Sequence, residues 1–222
     1  VTSIAIITAV TGDYDHEIQH DALDHRSDIH RYFFTDGQSS RRGWRRVELP
    51  ANAGLDNRRL SKLPKLNPHA YDFLREYEYV IWIDGDMGVL NSKFPEQIIS
   101  YLSYGLLLSP HFDNRHCAYG EATIRPPKYA NEPLDKQVAF YRSEGFPENF
   151  GLFEAGVQVR RMNSHGLIEF ERLWLEQNMT FSYQDQISLP YSLWKTGLQY
   201  SALPKSFREY EWIHINAHKR ED

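Results

Sequence analysis

Asp84-Gly85-Asp86 places two carboxylates two residues apart, directly behind the apolar run Tyr79-Val80-Ile81-Trp82-Ile83. Side chains alternate along a strand, so Asp84 and Asp86 start on the same side of the chain, with Gly85 free to bend between them. Two like charges at the end of a core strand repel each other and are costly to desolvate, which calls for a compensating cation. A hard divalent ion takes carboxylate oxygens and tolerates an imidazole, manganese more readily than magnesium. The same residues also read as a strand followed by a solvated Asp-Gly turn, because Asp-x-Asp is short and common. Upstream, Arg58, Arg59, Lys62 and Lys65 interleave with Leu60 and Leu63 at helical spacing. Lys and Arg beside a divalent ion suit a diphosphate. Together these parts could hold a nucleoside diphosphate and neutralise the charge it gains as it leaves.

Other candidate clusters carry less. His16, His20, His25 and His30 match no zinc spacing and lack Cys partners, so they read as a solvated loop. Arg41, Arg42, Arg45 and Arg46 around Trp44 read as a solvated rim. No GxGxxG, GxxxxGK[ST] or GxSxG pattern occurs, which argues against a dinucleotide site, a P-loop and a nucleophile elbow.

The elements that must position these groups alternate. Apolar runs predict strands over 3–10, 31–35, 45–49, 79–83, 105–109, 152–159 and 198–203. Gly156 inside one of them signals a close backbone approach. Helical spacing covers 56–66, 69–76, 95–104, 133–144, 167–175 and 185–194, with Pro64 expected to break or kink the first. Residues 110–128 read as irregular. The order predicts an α/β fold with a mostly parallel central sheet flanked by helices. Ligands of such sheets lie beyond the carboxyl ends of the strands, which draws the 10–14 turn, Asp36 and the Asp84/Asp86 pair to one crevice.

Composition bounds the rest. The chain has 222 residues, enough for one substantial core, and shows no repeat or linker, so residues 1–222 are expected to form a single domain, alone or within a longer chain. It begins with Val1 rather than Met, which points to a start inside a longer chain or after processing. A net charge of −5 argues against nucleic acid as a partner. The aromatic share of 14% suits flat platforms for sugars or bases as well as core packing. The single Cys117 excludes an internal disulfide framework and fits a reducing compartment, so a cytoplasmic location is expected. No apolar stretch reaches the roughly 18 residues of a membrane span.

The ordered parts resemble a glycosyltransferase of the GT-A type, a Rossmann-like fold whose DXD motif binds a metal and a nucleotide-sugar. The nearer likeness is to a family of glycosyltransferases found in bacteria, viruses and plants, with mucilage-related members. Four segments carry it in order: Ile81 to Asp86, His111 to Glu121, Tyr141-Arg142-Ser143-Glu144-Gly145-Phe146-Pro147, and Asp185-Gln186-Ile187-Ser188. The resemblance implies a sugar moved from a nucleotide-sugar, UDP-linked first, to a glycan or glycoprotein acceptor, with a divalent metal, manganese before magnesium.

It also implies roles. Asp84 and Asp86 match the DXD, Asp86 for direct metal contact and Asp84 for metal or ribose. Thr8, Ala9, Val10 and Tyr14 match the nucleoside-binding strand end, and Asp36 the acid near the base. Arg58 and Lys62 match the basic helix facing ribose and donor sugar. The tail resembles a His-then-Lys ending, which makes His214 the third metal ligand, with His218 as rival, and aims Lys219 at the diphosphate; the Pro-Trp that usually follows the Lys is absent. Glu154 matches an acid near the reacting sugar, or else a polar residue at a strand edge. Asp185 matches an acid that serves as general base in inverting relatives, or else a helix cap. His111, Glu121 and Gln184 are expected to contact donor or acceptor, or to be structural. Two rival functions stand beside this one. An Asp-x-Asp phosphatase would use its first Asp as nucleophile, but that motif sits on a first strand and ends in Thr, where this chain has Met87-Gly88. A catalytically inactive carbohydrate-binding domain would explain the aromatics but not the acid pair and basic helix.

Overall fold

A computed structural model of the chain describes residues 2–12, 21–50 and 54–216. Tyr14, His218 and Lys219 lie outside the described residues.

The apolar runs over 3–10 and 79–83 become the centre of one sheet. β1 (Ile4–Ala9) and β4 (Tyr79–Ile83) are buried at every residue and pair in parallel, Ile4 opposite Tyr79 and Ile7 opposite Trp82. Burial on both faces is what an unbroken apolar strand requires. β2 (Ile29–Thr35) and β3 (Arg45–Glu48) extend the sheet on the β1 side, both parallel. On the other side come β7 (Phe153–Arg161), β6 (Leu106–Pro110) and β8 (Ser201–Ala202). The seven strands run in the order β3-β2-β1-β4-β7-β6-β8, and β7 alone is antiparallel to its neighbours. The expected mostly parallel α/β sheet is present. The antiparallel β7 matters for function, because its first residues arrive where the parallel strands end.

Alternation along β1 and β4 divides the core. Ala5, Ile7, Val80 and Trp82 face α1 (Asn57–Leu66) and pack with Leu60 and Leu74. Ile4, Ile6 and Ile81 face the other way, onto Phe94 and Ile98 of α2 (Phe94–Ile99) and Trp212. A two-stranded ribbon, β5 (Met87–Val89) with β9 (Ile213–Ile215), closes that side. α3 (Ala118–Glu121), α4 (Leu134–Ser143), α5 (Leu167–Thr180) and α6 (Asp185–Thr196) cover the β6–β7 half. Among the described residues no helix is long and apolar enough to cross a membrane.

Local structure departs from expectation where tertiary packing overrides local signals. Pro64 does not break α1, which runs on through Leu66. Proline removes one backbone donor, but its φ suits a helix, and here it stands in the last turn beside the buried Lys65 and Leu66. Residues 69–76 form two 3-10 turns, Pro68–Ala70 and Asp72–Glu76, in place of an α-helix. α2 stops at Ile99, short of residue 104. Within the supposedly irregular 110–128 segment, Ala118–Glu121 is helical.

Candidate active site

A cleft of about 510 Å³ opens at the carboxyl ends of β1 and β4. Its floor is built by strand alternation. Trp82 and Asp84 point to the same side of β4, and Trp82 Nε1 donates to Asp84 Oδ1 at 2.8 Å. That side faces α1, so Lys65 Nζ reaches the same oxygen at 2.9 Å and lies 5.6 Å from the centre of the Trp82 ring. Lys65 also lies 2.7 Å from Asp185 Oδ2, and Lys62 donates to that oxygen at 2.7 Å. Asp84, Lys65, Asp185 and Lys62 thus form a continuous chain of alternating charge across the cleft.

The electrostatics follow from this chain. Burial pushes the Asp185 carboxyl up, but Lys62 and Lys65 together hold it well below the usual carboxylate range. Its place at the first turn of α6 adds the favourable end of that helix's dipole. Burial presses Lys65 down, yet Asp185 and Asp84 raise it above the ordinary lysine range. Lys62 moves the other way: burial lowers it, Asp185 opposes this, and the positive Lys65 adds to the lowering. At neutral pH, Asp185 is therefore a carboxylate and Lys65 an ammonium.

The turn after β1 forms one lip. Thr11 Oγ1 donates to the Asn57 carbonyl at 2.6 Å, docking the turn on the start of α1. Gly12 has φ +64°, and a Cβ there would come 2.1 Å from Asn57 Nδ2, so the turn requires glycine. Gly12 N donates to Asp36 Oδ1 at 3.0 Å. Asp36 therefore braces the turn. Arg58 completes this wall, donating to Tyr183 Oη at 2.5 Å and to the Lys128 carbonyl at 3.3 Å.

The antiparallel β7 supplies the opposite wall. Asp84 N donates to the Gly156 carbonyl at 2.9 Å, so these residues face each other across the sheet. A Cβ on Gly156 would lie 2.7 Å from Met87 Cε and 3.3 Å from Asp84 Oδ2, which confirms the close approach expected of this glycine. Two residues earlier, Glu154 is buried. Arg208 Nε donates to its Oε2 at 2.5 Å, and Ser206 Oγ donates to its Oε1.

Of the residues singled out from sequence, Ala9, Val10, Arg58, Lys62, Asp84, Asp86, Glu154 and Asp185 line this one cleft. Thr8 does not. It is fully buried, and its Oγ1 has no hydrogen-bond partner. His111, Glu121 and Gln184 form a buried cluster beside the cleft. Gln184 Nε2 donates to Glu121 Oε1 at 2.8 Å, while Arg115 bonds Glu121 and approaches His111 Nε2 at 3.1 Å. His214 pairs with Gly88 in the β5–β9 ribbon, its ring over that glycine and its Nδ1 buried without a partner. Among the described residues, no three His, Cys, Asp or Glu side chains gather as a ligand set, so His214 is not brought together with Asp84 and Asp86 as one. Asn216 donates to the Asp86 carbonyl through N at 2.9 Å and Nδ2 at 3.1 Å, which ties β9 to the acid pair through backbone.

Sequence reasoning named Lys65 only as one of the cations of the 56–66 helix, with no role of its own, and did not single out Lys128, Tyr129, Tyr183 or Arg208; all five line the cleft. Lys65 carried a usable signal, since Arg58, Lys62 and Lys65 follow the i, i+4, i+7 spacing of one helix face. Lys128, Tyr129 and Arg208 come from short 3-10 turns, Pro127–Tyr129 and Phe207–Glu209, and Tyr183 from the segment before α6; none carried a signal.

Comparison with known proteins agrees with this architecture. The model of the TOD1/MUCI70 glycosyltransferase-like domain matches residues 24–220. A curated relative, "Probable hexosyltransferase MUCI70" of Arabidopsis thaliana, is 26% identical over 170 residues, which cover 69% of this chain and 28% of that protein. The chain thus spans little more than a quarter of the length of the curated relative it matches. The match to the family model covers the cleft residues from Asn57 on, Asp84 and Asp185 included, and leaves out only the Ala9–Gly12 lip; the chain belongs to the TOD1/MUCI70 glycosyltransferase-like family.

Proposed function

We propose that this chain is a metal-dependent hexosyltransferase domain that moves a sugar from a nucleotide-sugar, UDP-linked in the first instance, to a glycan or glycoprotein acceptor. One observation carries the reading: the Asp84/Asp86 pair and the cationic face of α1 (Arg58, Lys62, Lys65) converge on one cleft at the carboxyl end of the central strands. Family membership and the name of the plant relative point the same way.

The donor chemistry fits a hard divalent ion. Asp84 Oδ1 is taken by Lys65 and Trp82, while Oδ2 lies on the Gly156 side of the cleft, and Asp86 lines the same cleft. Asp84 and Asp86 would hold the ion, which would supply positive charge to the donor's diphosphate. The chain's own residues do the rest. The Val10–Gly12 lip and Arg58 receive the nucleoside end. Lys62 and Lys65 bring positive charge to the side where negative charge develops as the sugar departs. Glu154 and Asp185 flank the space left for the sugar and its acceptor.

The test is nucleotide release from a panel of UDP- and GDP-sugars with manganese, magnesium or EDTA. Release that requires a metal and is lost in Asp86→Ala is the expected result. If no nucleotide-sugar binds or turns over with any metal, the reading is wrong. Phosphate release from simple monoesters, abolished by Asp84→Asn, would point to phosphatase chemistry instead.

A further inference from the structure

Given the transferase reading above, we infer that Phe112 and Arg208 form the acceptor subsite of the cleft, and that this subsite takes a sugar ring rather than a peptide. A single exposed aromatic ring means nothing by itself. Phe112 matters for where the fold puts it and for what stands beside it.

β6 and β7 run antiparallel, so the end of one lies beside the start of the other. Ser109 stands opposite Glu154, Pro110 opposite Phe153, and His111 N donates to the Leu152 carbonyl at 3.2 Å. The chain leaving β6 therefore carries Phe112 to the edge of the wall in which Glu154 is buried. Arg208 joins the two. Its Nε donates to Glu154 Oε2 at 2.5 Å, and its Cζ stands 4.9 Å from the centre of the Phe112 ring. Arg208 lines the cleft, and Phe112 extends that wall outward by one side chain.

The resulting ledge is fixed yet half open. Ser206 Oγ donates to Glu154 and accepts from Arg208 N at 3.2 Å. Phe207 N donates to Ser109 Oγ at 2.9 Å, which pins the Phe207–Glu209 turn to β6. The buried His111 ring packs on Phe112, with centres 4.7 Å and planes 28° apart. Phe112 nevertheless remains 52% exposed and the Arg208 side chain 44%. The Glu154 side chain is 3% exposed, and burying a carboxylate is costly unless it is paired. Here that buried acid fixes a guanidinium which stays accessible next to an apolar ring.

This pair of surfaces fits a sugar. A pyranose has C–H faces that gain by leaving water for a flat apolar ring. Its hydroxyls accept from the planar N–H fork of an arginine. Ring and guanidinium lie side by side, so one sugar reaches both, and a ledge fixed in advance loses little freedom on binding. A polypeptide is commonly taken along a free strand edge. β8, the edge strand on this side of the sheet, is only two residues long.

The experiment follows nucleotide release by the intact chain from UDP- and GDP-hexoses with manganese. One set of acceptors holds methyl glycosides and oligosaccharides, the other peptides bearing Ser and Thr. A carbohydrate is expected to accelerate release and to gain one sugar by mass spectrometry. Acceleration by peptides alone, or donor turnover that no carbohydrate accelerates, overturns the inference and leaves the transferase reading intact. Absence of release from every donor overturns both. On the best carbohydrate acceptor, Phe112→Ala should raise the acceptor KM by about three- to tenfold, with a smaller change in the donor KM. Arg208→Lys keeps a positive charge on Glu154 but loses the fork, and the same rise is expected. Phe112→Tyr should restore the acceptor KM and Phe112→Leu should not, because Leu supplies bulk without a flat ring. An unchanged acceptor KM in Phe112→Ala or Arg208→Lys, an equal rise in the donor KM, or full recovery in Phe112→Leu overturns the inference.

Discussion

Replacing Lys65 by Met tests the charge chain on which the site is built. Lys65 is only 3% exposed, and it joins Asp84 on the central strand to Asp185 at the start of α6. At an effective dielectric of about 20, a unit pair at about 3 Å attracts by roughly 5–6 kcal/mol, and desolvating the ions offsets much of this. Breaking a buried pair by removing one partner costs about 3–5 kcal/mol. Two features reduce that figure here. Asp84 is 37% exposed, so water screens its share, and Lys62 remains on Asp185. A loss of about 2–3 kcal/mol is expected, which for a domain of this size corresponds to a fall in Tm of about 4–12 °C. The assay is urea denaturation of the wild type, Lys65→Met, Asp185→Asn and the double variant. The double variant should lose less than the sum of the singles, with a coupling of about 1–3 kcal/mol. A Lys65→Met loss below about 0.5 kcal/mol, or strict additivity, would refute the bridge.

Three further outcomes are expected. Gly156→Ala puts a methyl 2.7 Å from Met87 Cε and 3.3 Å from Asp84 Oδ2. The flexible methionine end gives way, so the urea midpoint should fall by the equivalent of about 1 kcal/mol. Nucleotide affinity should fall more steeply because Asp84 is displaced, and unchanged affinity would contradict the placement. Arg160 is fully buried, 2.9 Å from Glu171 Oε1, and donates to the Lys65 carbonyl at 2.8 Å. Arg160→Met should cost about 3–5 kcal/mol in denaturation, and a loss under about 1 kcal/mol would show that the pair contributes little. The Asp185 carboxyl is held below its unfolded value, so its contribution is complete above about pH 4 and is lost as pH falls toward the folded value. Between about pH 4 and 2 the wild type should lose more stability than Asp185→Asn; equal slopes would mean that the lysines do not hold the acid down.

The fold was legible where a segment states its own burial. Ile4–Ala9 and Tyr79–Ile83 are apolar throughout, and only a two-sided core accepts such strands. The antiparallel direction of β7 was not legible, because a buried strand has the same composition in either direction. That direction decides the site, for it carries Glu154 and Gly156 to the end of β4 where Asp84 stands. A break at Pro64 does not occur for a related reason: a local breaking signal says nothing of the buried Lys65 and Leu66 in the last turn.

For the site, residue type was legible and partnership was not. Asp84 and Asp86 announce themselves by adjacency, and Arg58, Lys62 and Lys65 by the period of one helix. What these groups do depends on which opposite charge each one meets. Lys65 meets Asp84 across 19 residues of chain, and Lys62 meets Asp185 across 123. Asp185 by itself reads equally well as a helix cap or as a base. Only when the sheet sets α1 and the start of α6 side by side do two lysines fall on one of its oxygens. That contact gives the candidate base two buried counter-ions, which its position at a helix start could not announce.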